Sequence, residues 1–213
     1  MEFNNQTEYW DGVSKNKEFT TPLDIGLISR YAAPGSLIVD YGCGYGRTLN
    51  ELYNNGFKNS IGLDISEGMI KRGKQEHPHL NLKVCTSVSI DCNAGSVDLV
   101  ILFAVLTCII DNRKQEDLIN EIWRVLKPGG LIYINDFLLN SDKRNTNRYK
   151  KFAVKHGVYG AFELPEGAVL RHHDQRWIES LTARFQKEEY YKTRFKTMNG
   201  NISSGFVFIG RKN

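Results

Sequence analysis

Apolar positions along the chain fall into blocks of two kinds that take turns. Residues 37–39, 60–64, 82–85, 97–103 and 131–135 are short, aliphatic or β-branched and bounded by turn residues, the pattern of buried strands. Between them apolar residues recur at helical intervals, as in Leu49, Leu52 and Tyr53, or Leu118, Ile119, Ile122, Val125 and Leu126. The punctuation agrees. Asn54-Asn55-Gly56 and Lys127-Pro128-Gly129-Gly130 stop two helices, Ser66 is placed to cap a third, and Asn112 with Gln115 makes a capping-box pattern. Thr21-Pro22 predicts the start of an earlier helix bearing Leu23, Leu27, Ile28 and Tyr31, closed by Pro34-Gly35. Strict alternation up to residue 136 predicts a doubly wound α/β fold on a mostly parallel sheet, with the very apolar 97–103 strand at its centre.

Beyond that point the rhythm changes. Residues 140–173 are polar and basic, interleaved with Tyr149, Phe152, Tyr159 and Phe162, and read as an insertion or lid. Asp174 is placed to cap a helix with Trp177, Ile178, Leu181 and Phe185 inward. Residues 189–197 and 203–210 read as strands joined by Met198-Asn199-Gly200-Asn201, in which Asn-Gly is a hairpin signal. Tyr9, Trp10 and Phe19 sit in polar surroundings and predict an N-terminal segment packed over something. The expected organisation is one domain over 1–213: cap helices in 1–35, a binding core in 36–136, a lid in 140–173, and a helix with a β-hairpin in 174–213. No internal repeat or low-complexity segment interrupts it.

Composition adds limits. At 213 residues, 41% hydrophobic and 24% charged, the chain is an ordinary globular protein with enough length for a full core. The net charge of +4 is concentrated between Ser141 and Lys155, where Lys143, Arg144, Arg148, Lys150, Lys151 and Lys155 face only Asp142. Such a run can attract an acidic substrate or a phosphate backbone, although a solvated helix face is the commoner outcome. Residues 1–8 lack the basic start and apolar core of a signal peptide, and the longest apolar run, 99–110, is too short to span a bilayer. Cys43, Cys85, Cys92 and Cys108 form no C-x-x-C pair, and His77-Pro78-His79 reads as a helix exit, so no metal site is expected. A cytoplasmic protein with reduced thiols and no membrane segment is the expectation.

The candidate chemistry lies at the strand ends. The first strand runs into Asp40, then Gly42, Gly44 and Gly46, and a helix begins at Arg47. Glycine permits positive φ and close approach of a ligand to the backbone, while a helix N-terminus favours anionic groups. Open α/β sheets bind ligands at the carboxyl ends of their strands. Those ends carry Asp40 and the glycines, Asp64, residues 85–87, residues 103–106 and Asp136. About twenty residues separate Gly42 from Asp64, the spacing at which an acid reaches a ribose diol, so an adenosine-type ligand fits. The glycine spacing is G-x-G-x-G rather than the dinucleotide pattern G-x-G-x-x-G. An acid in the turn repels a pyrophosphate and suits a ligand bearing an ammonium or sulfonium, which tilts against a nicotinamide dinucleotide.

Four segments then carry a resemblance: Val39-Asp-Tyr-Gly-Cys-Gly-Tyr-Gly46, Gly62-Leu-Asp-Ile-Ser66, Val97-Asp-Leu-Val100 and Glu121-Ile-Trp-Arg-Val-Leu-Lys-Pro-Gly-Gly130. In this order they resemble the class I S-adenosylmethionine-dependent methyltransferases, of the methyltransferase type 11 group that includes the ubiquinone-biosynthesis enzymes. The resemblance covers roughly residues 36–136. It implies a Rossmann-like sheet of seven strands with the last antiparallel, and S-adenosylmethionine as cofactor. It further implies that Asp40 and the backbone of Gly42, Cys43 and Gly44 hold the methionine part. By the same resemblance Asp64 binds the ribose hydroxyls, Ile65 and Met69 lie against the adenine, and Phe103 and Ala104 lie beside the sulfonium. Where relatives carry an acid after the third strand, this chain has Thr86-Ser87, whose hydroxyls or backbone are expected in its place.

A general base is needed only if the acceptor must lose a proton. Tyr159, His172 and His173 are the candidates, with a plain packing role as the alternative for each; Tyr9, Trp10 and Phe19 stand equally as pocket roof or packed helix. The expected function is methyl transfer to a small-molecule acceptor, with residues 140–173 shaping its pocket. Two alternatives remain open. One is an RNA or DNA methyltransferase using the basic 141–155 stripe, disfavoured because the Asn/Asp-Pro-Pro-Tyr/Phe and Pro-Cys signatures are missing. The other is a protein that binds the cofactor without turnover.

Overall fold

The computed structural model describes residues 3–197 and 200–213. Strands β1 (Ile38–Tyr41), β2 (Ser60–Asp64), β3 (Asn81–Val84), β4 (Val97–Phe103) and β5 (Leu126–Phe137) alternate with helices α3 (Arg47–Asn54), α4 (Glu67–Glu76) and α5 (Asn112–Val125), except that β3 leads to β4 through turns with no helix, where strict alternation was expected. Ahead of them lie α1 (Phe3–Val13) and α2 (Ile25–Tyr31); after them come α6 (Lys143–His156), a β6 (Ala161–Glu163) and β7 (Val169–Arg171) pair, α7 (Gln175–Leu181), β8 (Gln186–Lys196) and β9 (Ile202–Arg211). Seven strands form one sheet in the order β3-β2-β1-β4-β5-β9-β8. Each neighbouring pair is parallel except those made by β9, which runs antiparallel to both β5 and β8. The reversed last strand is the topology the sequence implied. Of the hairpin tip, Met198 and Asn199 lie outside the described residues, while the flanking strands pair from Lys196 with Ile202 onward.

Side-chain alternation explains why β1 and β4 are buried on both faces. Ile38, Leu99 and Ile101 join Leu27, Ile28, Leu49 and Leu52 in one core layer. Val39, Val100 and Leu102 join Leu118, Ile119 and Ile122 in the other. A period of two sends successive residues to opposite faces, so an unbroken apolar run serves both layers. The chain order reverses between β1 and β4, where Asp40 is in register with Gly62 on one side and Ile101 on the other. This switch point is where an α/β sheet opens a crevice.

Three local expectations are corrected. Helix α2 starts at Ile25 with Asp24 as N-cap, its carboxylate accepting from Leu27 N–H at 2.8 Å, rather than at Thr21-Pro22. The Thr21 carbonyl instead accepts from the Arg47 guanidinium at 2.7 Å, which holds that stretch against α3. Helix α5 is capped by Asp111, which accepts from Lys114 N–H, and not by Asn112. Gln115, expected in the capping box, is buried; its amide donates to the carbonyls of Leu106 and Ile109 and accepts from the Trp177 indole. The 127–130 stretch, expected only as a helix stop, runs within β5 because Gly129 N–H and Gly130 C=O pair with Lys212.

The 140–173 segment builds one helix and one two-stranded hairpin. Helix α6 begins at the Asp142 cap and ends on Gly157 at φ +68°. It buries Tyr149 and leaves Lys143, Lys150, Lys151 and Lys155 exposed. Helix α1 and the residues just after it join the two ends of the molecule's open edge. The Asp11 carboxylate accepts from Ser66 Oγ and Gly68 N–H at the start of α4, while Gln6 donates to the Val169 carbonyl of β7 and Lys17 pairs with Glu166 at 3.6 Å. Among the described residues no helix is long and apolar enough to cross a membrane, and no cluster of side chains is arranged to hold a metal.

Candidate active site

One cavity of about 890 Å³ occupies the carboxyl ends of β1, β2, β4 and β5 and continues beneath the 140–173 segment. Gln6, Trp10 and Phe19 contribute from the N-terminal side. Nine residues implied by the resemblance line it: Asp40, Gly42, Cys43, Gly44, Asp64, Ile65, Met69, Phe103 and Ala104.

The glycine turn is built for shape. Gly42, Gly44 and Gly46 have φ of +79°, +56° and +83°, a region side chains rarely tolerate. A Cβ on Gly42 would meet Val105 Cγ2 at 2.6 Å, and one on Gly44 would meet Phe19 Cε2 at 2.6 Å. The turn's N–H groups do not form an anion cradle. Those of Gly42 and Cys43 donate to the Leu63 carbonyl at 2.7 and 3.0 Å, and that of Gly44 donates to Asp64 Oδ2 at 2.8 Å.

What the turn presents instead is negative charge. Asp40 is 1% exposed, and neither carboxylate oxygen has a hydrogen-bond partner among the described residues. Burial pushes its pKa up to about 7, with Arg47 pulling down and Asp64 pushing up. A buried carboxylate without a partner is costly, and a cationic ligand group is the partner it lacks. Asp64 is held on both oxygens, by Gly44 N–H and by Ser66 N–H at 2.9 Å, and burial raises its pKa as well. Each of its oxygens keeps a second lone pair for a donor such as a sugar hydroxyl. These two acids fit a ligand that is cationic at one end and carries a diol further along, as S-adenosylmethionine does. Ala104, at φ +56°, is the one non-glycine residue among those described with positive φ. Its N–H donates to the Asn135 carbonyl at 2.7 Å, which pins this strained turn into the cavity wall.

Thr86 and Ser87 are exposed and lie outside the lining. Strand β3 ends at Val84, Cys85 N–H pairs with the Asp64 carbonyl, and the next residues turn to solvent. Cys85 and Val88 occupy the wall there in place of Thr86 and Ser87.

The three base candidates separate cleanly. Tyr159 is 48% exposed and outside the cavity, its ring edge-on to Tyr149 at 5.5 Å. His173 is fully buried behind the wall, 4.0 Å from Asp136, and burial holds it neutral. Asp136 accepts from Phe137 and Thr107 N–H, and burial raises it to about 7. His172 lines the cavity. Its Nδ1 lies 2.6 Å from the Tyr149 hydroxyl and 3.2 Å from the Asn140 amide nitrogen. Because Tyr149 Oη already accepts from Asn140 N–H, its own proton goes to Nδ1, which assigns the ring proton to Nε2. Burial, with Arg148 and Arg144 nearby, lowers the His172 pKa to about 3. His172 is thus a neutral hydrogen-bond donor that orients, not a base poised near neutral pH.

Sequence reasoning missed Asn140, Arg148 and Tyr149 as individual site residues. The available signal was weak: an aromatic at helical spacing within a basic run, one arginine of which turns inward.

Residues 39–134 match the family described as a methyltransferase domain. A carboxy-S-adenosyl-L-methionine synthase of Campylobacter fetus subsp. fetus is 30% identical over 147 residues, covering 66% of this chain and 62% of that protein. A tRNA (carboxymethyluridine(34)-5-O)-methyltransferase of Mus musculus is 30% identical over 105 residues, covering 47% of this chain and 15% of that protein. The chain therefore spans less than two thirds of the length of these relatives. A solved SAM-dependent methyltransferase of Methanosarcina mazei superposes with a TM-score of 0.82 at 28% identity, over 89% of this chain and 99% of that one. Sheet order, motif positions and these likenesses agree: residues 39–134 match a methyltransferase domain, and the chain has the class I S-adenosylmethionine-dependent methyltransferase fold.

Proposed function

We propose that this protein transfers a methyl group from S-adenosylmethionine to a small-molecule acceptor held between the strand ends and the 140–173 segment. The observation that carries the reading is one continuous cavity, which joins Asp40, unpartnered among the described residues, at one end to His172 and Phe162 at the other. When bound, S-adenosylmethionine supplies an electrophilic methyl group on a sulfonium. Asp40 faces the cationic methionine end, Asp64 accepts from the ribose hydroxyls, and Ile65 and Met69 give the adenine an apolar wall. Phe103 and the fixed turn at Ala104 set the width of the passage between the two halves. In-line substitution gains most from holding the reacting atoms in line away from water. The acceptor half supplies that with Phe137, Phe162 and Leu170 as walls and the His172 N–H as an orienting donor.

The relatives do not choose the acceptor, since one is named for making a small molecule and the other for modifying a tRNA. One observation favours nucleic acid: Lys143, Lys150 and Lys151 form an exposed basic face on α6. Two arginines of the same helix, Arg144 and Arg148, line the cavity instead, which favours a ligand small enough to enter it. The four free thiols support a reducing, cytoplasmic location. Calorimetric titration with S-adenosylhomocysteine and a turnover assay on separated small-molecule and RNA fractions test the reading. Binding lost in Asp64→Ala, with labelled methyl in the small-molecule fraction, is expected; no cofactor binding, or label in RNA alone, overturns it.

A further inference from the structure

Helix α6 turns Arg148 inward. Its guanidinium carbon lies 3.4 Å from the centre of the Phe162 ring, so the planar group is stacked on an aromatic face. Its Nε is buried with no hydrogen-bond partner, and no carboxylate pairs with it among the described residues. The guanidinium also donates to the Tyr149 hydroxyl, whose own proton is directed to His172. Burial pulls the Arg148 pKa down, yet a guanidinium stays charged at neutral pH.

The acid that acts on Arg148 from its own helix is Asp142, which is exposed, caps α6 through Asn145 and forms no ion pair with Arg148 among the described residues. Glu163 is the acid that the lid segment contributes to the lining, and it is engaged by Lys155 at 2.5 Å and His156 at 3.0 Å. Arg144, one turn before Arg148 on α6, lines the same wall and adds a second positive charge. His172 is neutral and offers an N–H. Around these groups the wall is apolar, with Phe137, Leu164, Val169 and Leu170. A charged guanidinium stacked on an aromatic face in the wall of an apolar pocket, with donors beyond the one that Tyr149 takes, is suited to a carboxylate or phosphate.

We infer that the acceptor is a small, largely apolar molecule bearing an anionic group, carboxylate or phosphate, and that Arg148 binds that group with Arg144 beside it. The inference deepens the methyltransferase reading and rests on it. Asp40 and Arg148 then divide the cavity by sign: the cationic cofactor end goes to one, the anionic end of the acceptor to the other. Opposite charges at the two ends fix which ligand occupies which half, and the apolar wall accepts the rest of the acceptor.

Two matched pairs of probes test this: benzoate against benzamide, and phenyl phosphate against phenol. Each is titrated into wild type, Arg148→Gln and Arg148→Lys, with and without S-adenosylhomocysteine. At least one acid should bind wild type about tenfold more tightly than its neutral partner, and the acid that does so names the group. Arg148→Gln should erase that preference, and Arg148→Lys should retain part of it, because lysine keeps the charge and loses the fork. Unchanged affinity for S-adenosylhomocysteine in both variants shows that the fold is intact. Acids that bind no better than their neutral partners, no binding of any probe, or a preference that survives Arg148→Gln each overturn the inference. Cofactor binding without acid preference defeats this inference alone, whereas acid preference without cofactor binding defeats the methyltransferase reading alone.

Discussion

At the β1–β2 end of the cavity the polar groups are held by backbone: Gly44 and Ser66 N–H fix Asp64, and Leu63 C=O ties down the glycine turn. At the lid end the polar groups are held by other side chains: Tyr149 and Asn140 fix His172, and Phe162 carries Arg148. The first arrangement is fixed by which residue types the turn accepts, and so tolerates almost no change. The second depends on packing between helix α6 and the hairpin that follows it, so single residues there can vary while the wall survives. One half of the site is therefore suited to a constant ligand and the other to a ligand that differs between relatives.

Substitutions can break this contrast. Gly44→Val combines a backbone strain of about 1–3 kcal/mol with a clash against Phe19, and should abolish S-adenosylhomocysteine binding by calorimetry. Asp40→Asn should weaken cofactor binding roughly 10- to 100-fold, the worth of a charge-assisted contact, while the empty protein gains a few degrees in melting temperature. The sign follows from linkage. Asp40 and Asp136 are each raised to about 7 from the ordinary 3.8, so the native state holds more protons than the unfolded chain between those pH values. Stability of the ligand-free protein should fall as pH rises through that window, less steeply in Asp40→Asn. For the same reason, cofactor binding near about pH 6 should release a proton, read as a dependence of the binding enthalpy on buffer ionisation and lost in Asp40→Asn.

Changes on the lid side should be milder and selective. Tyr149→Phe removes the donor to His172 Nδ1, for about 1 kcal/mol of stability, and should lower turnover without moving cofactor affinity. Tyr159→Phe, outside the cavity, should leave stability within about 0.5 kcal/mol and turnover unchanged.

How far the sequence revealed these two halves follows from the same difference. The doubly wound sheet, the terminal hairpin and the acids at the ends of β1 and β2 were legible because each requires particular residues at particular spacings, and the reversed last strand followed from the resemblance. Errors arose where neighbours compete for one role. Asp24 and Asp111 cap the helices assigned to Thr21 and Asn112, since a carboxylate accepts from the free N–H groups at a helix start more strongly than a hydroxyl or an amide. Thr86 and Ser87 were misplaced because the register of a four-residue edge strand decides which side chains face inward. On the lid, His172 was found as a residue and misread as a role: its tautomer depends on Tyr149, 23 positions away, and on nothing local.

Helix α1 and the residues just after it touch both halves, through Asp11 at the start of α4 and through Gln6 and, beyond the helix, Lys17 at the β6–β7 hairpin. The consequence is kinetic. The two ligands do not have independent doors, because the strap that lies over one also fastens to the wall of the other. On the proposed function, loosening either anchorage would loosen the cover over both and couple the release of spent cofactor to the admission of a fresh acceptor. Turnover in such a protein is paced by the opening of that cover whenever the methyl transfer itself is fast.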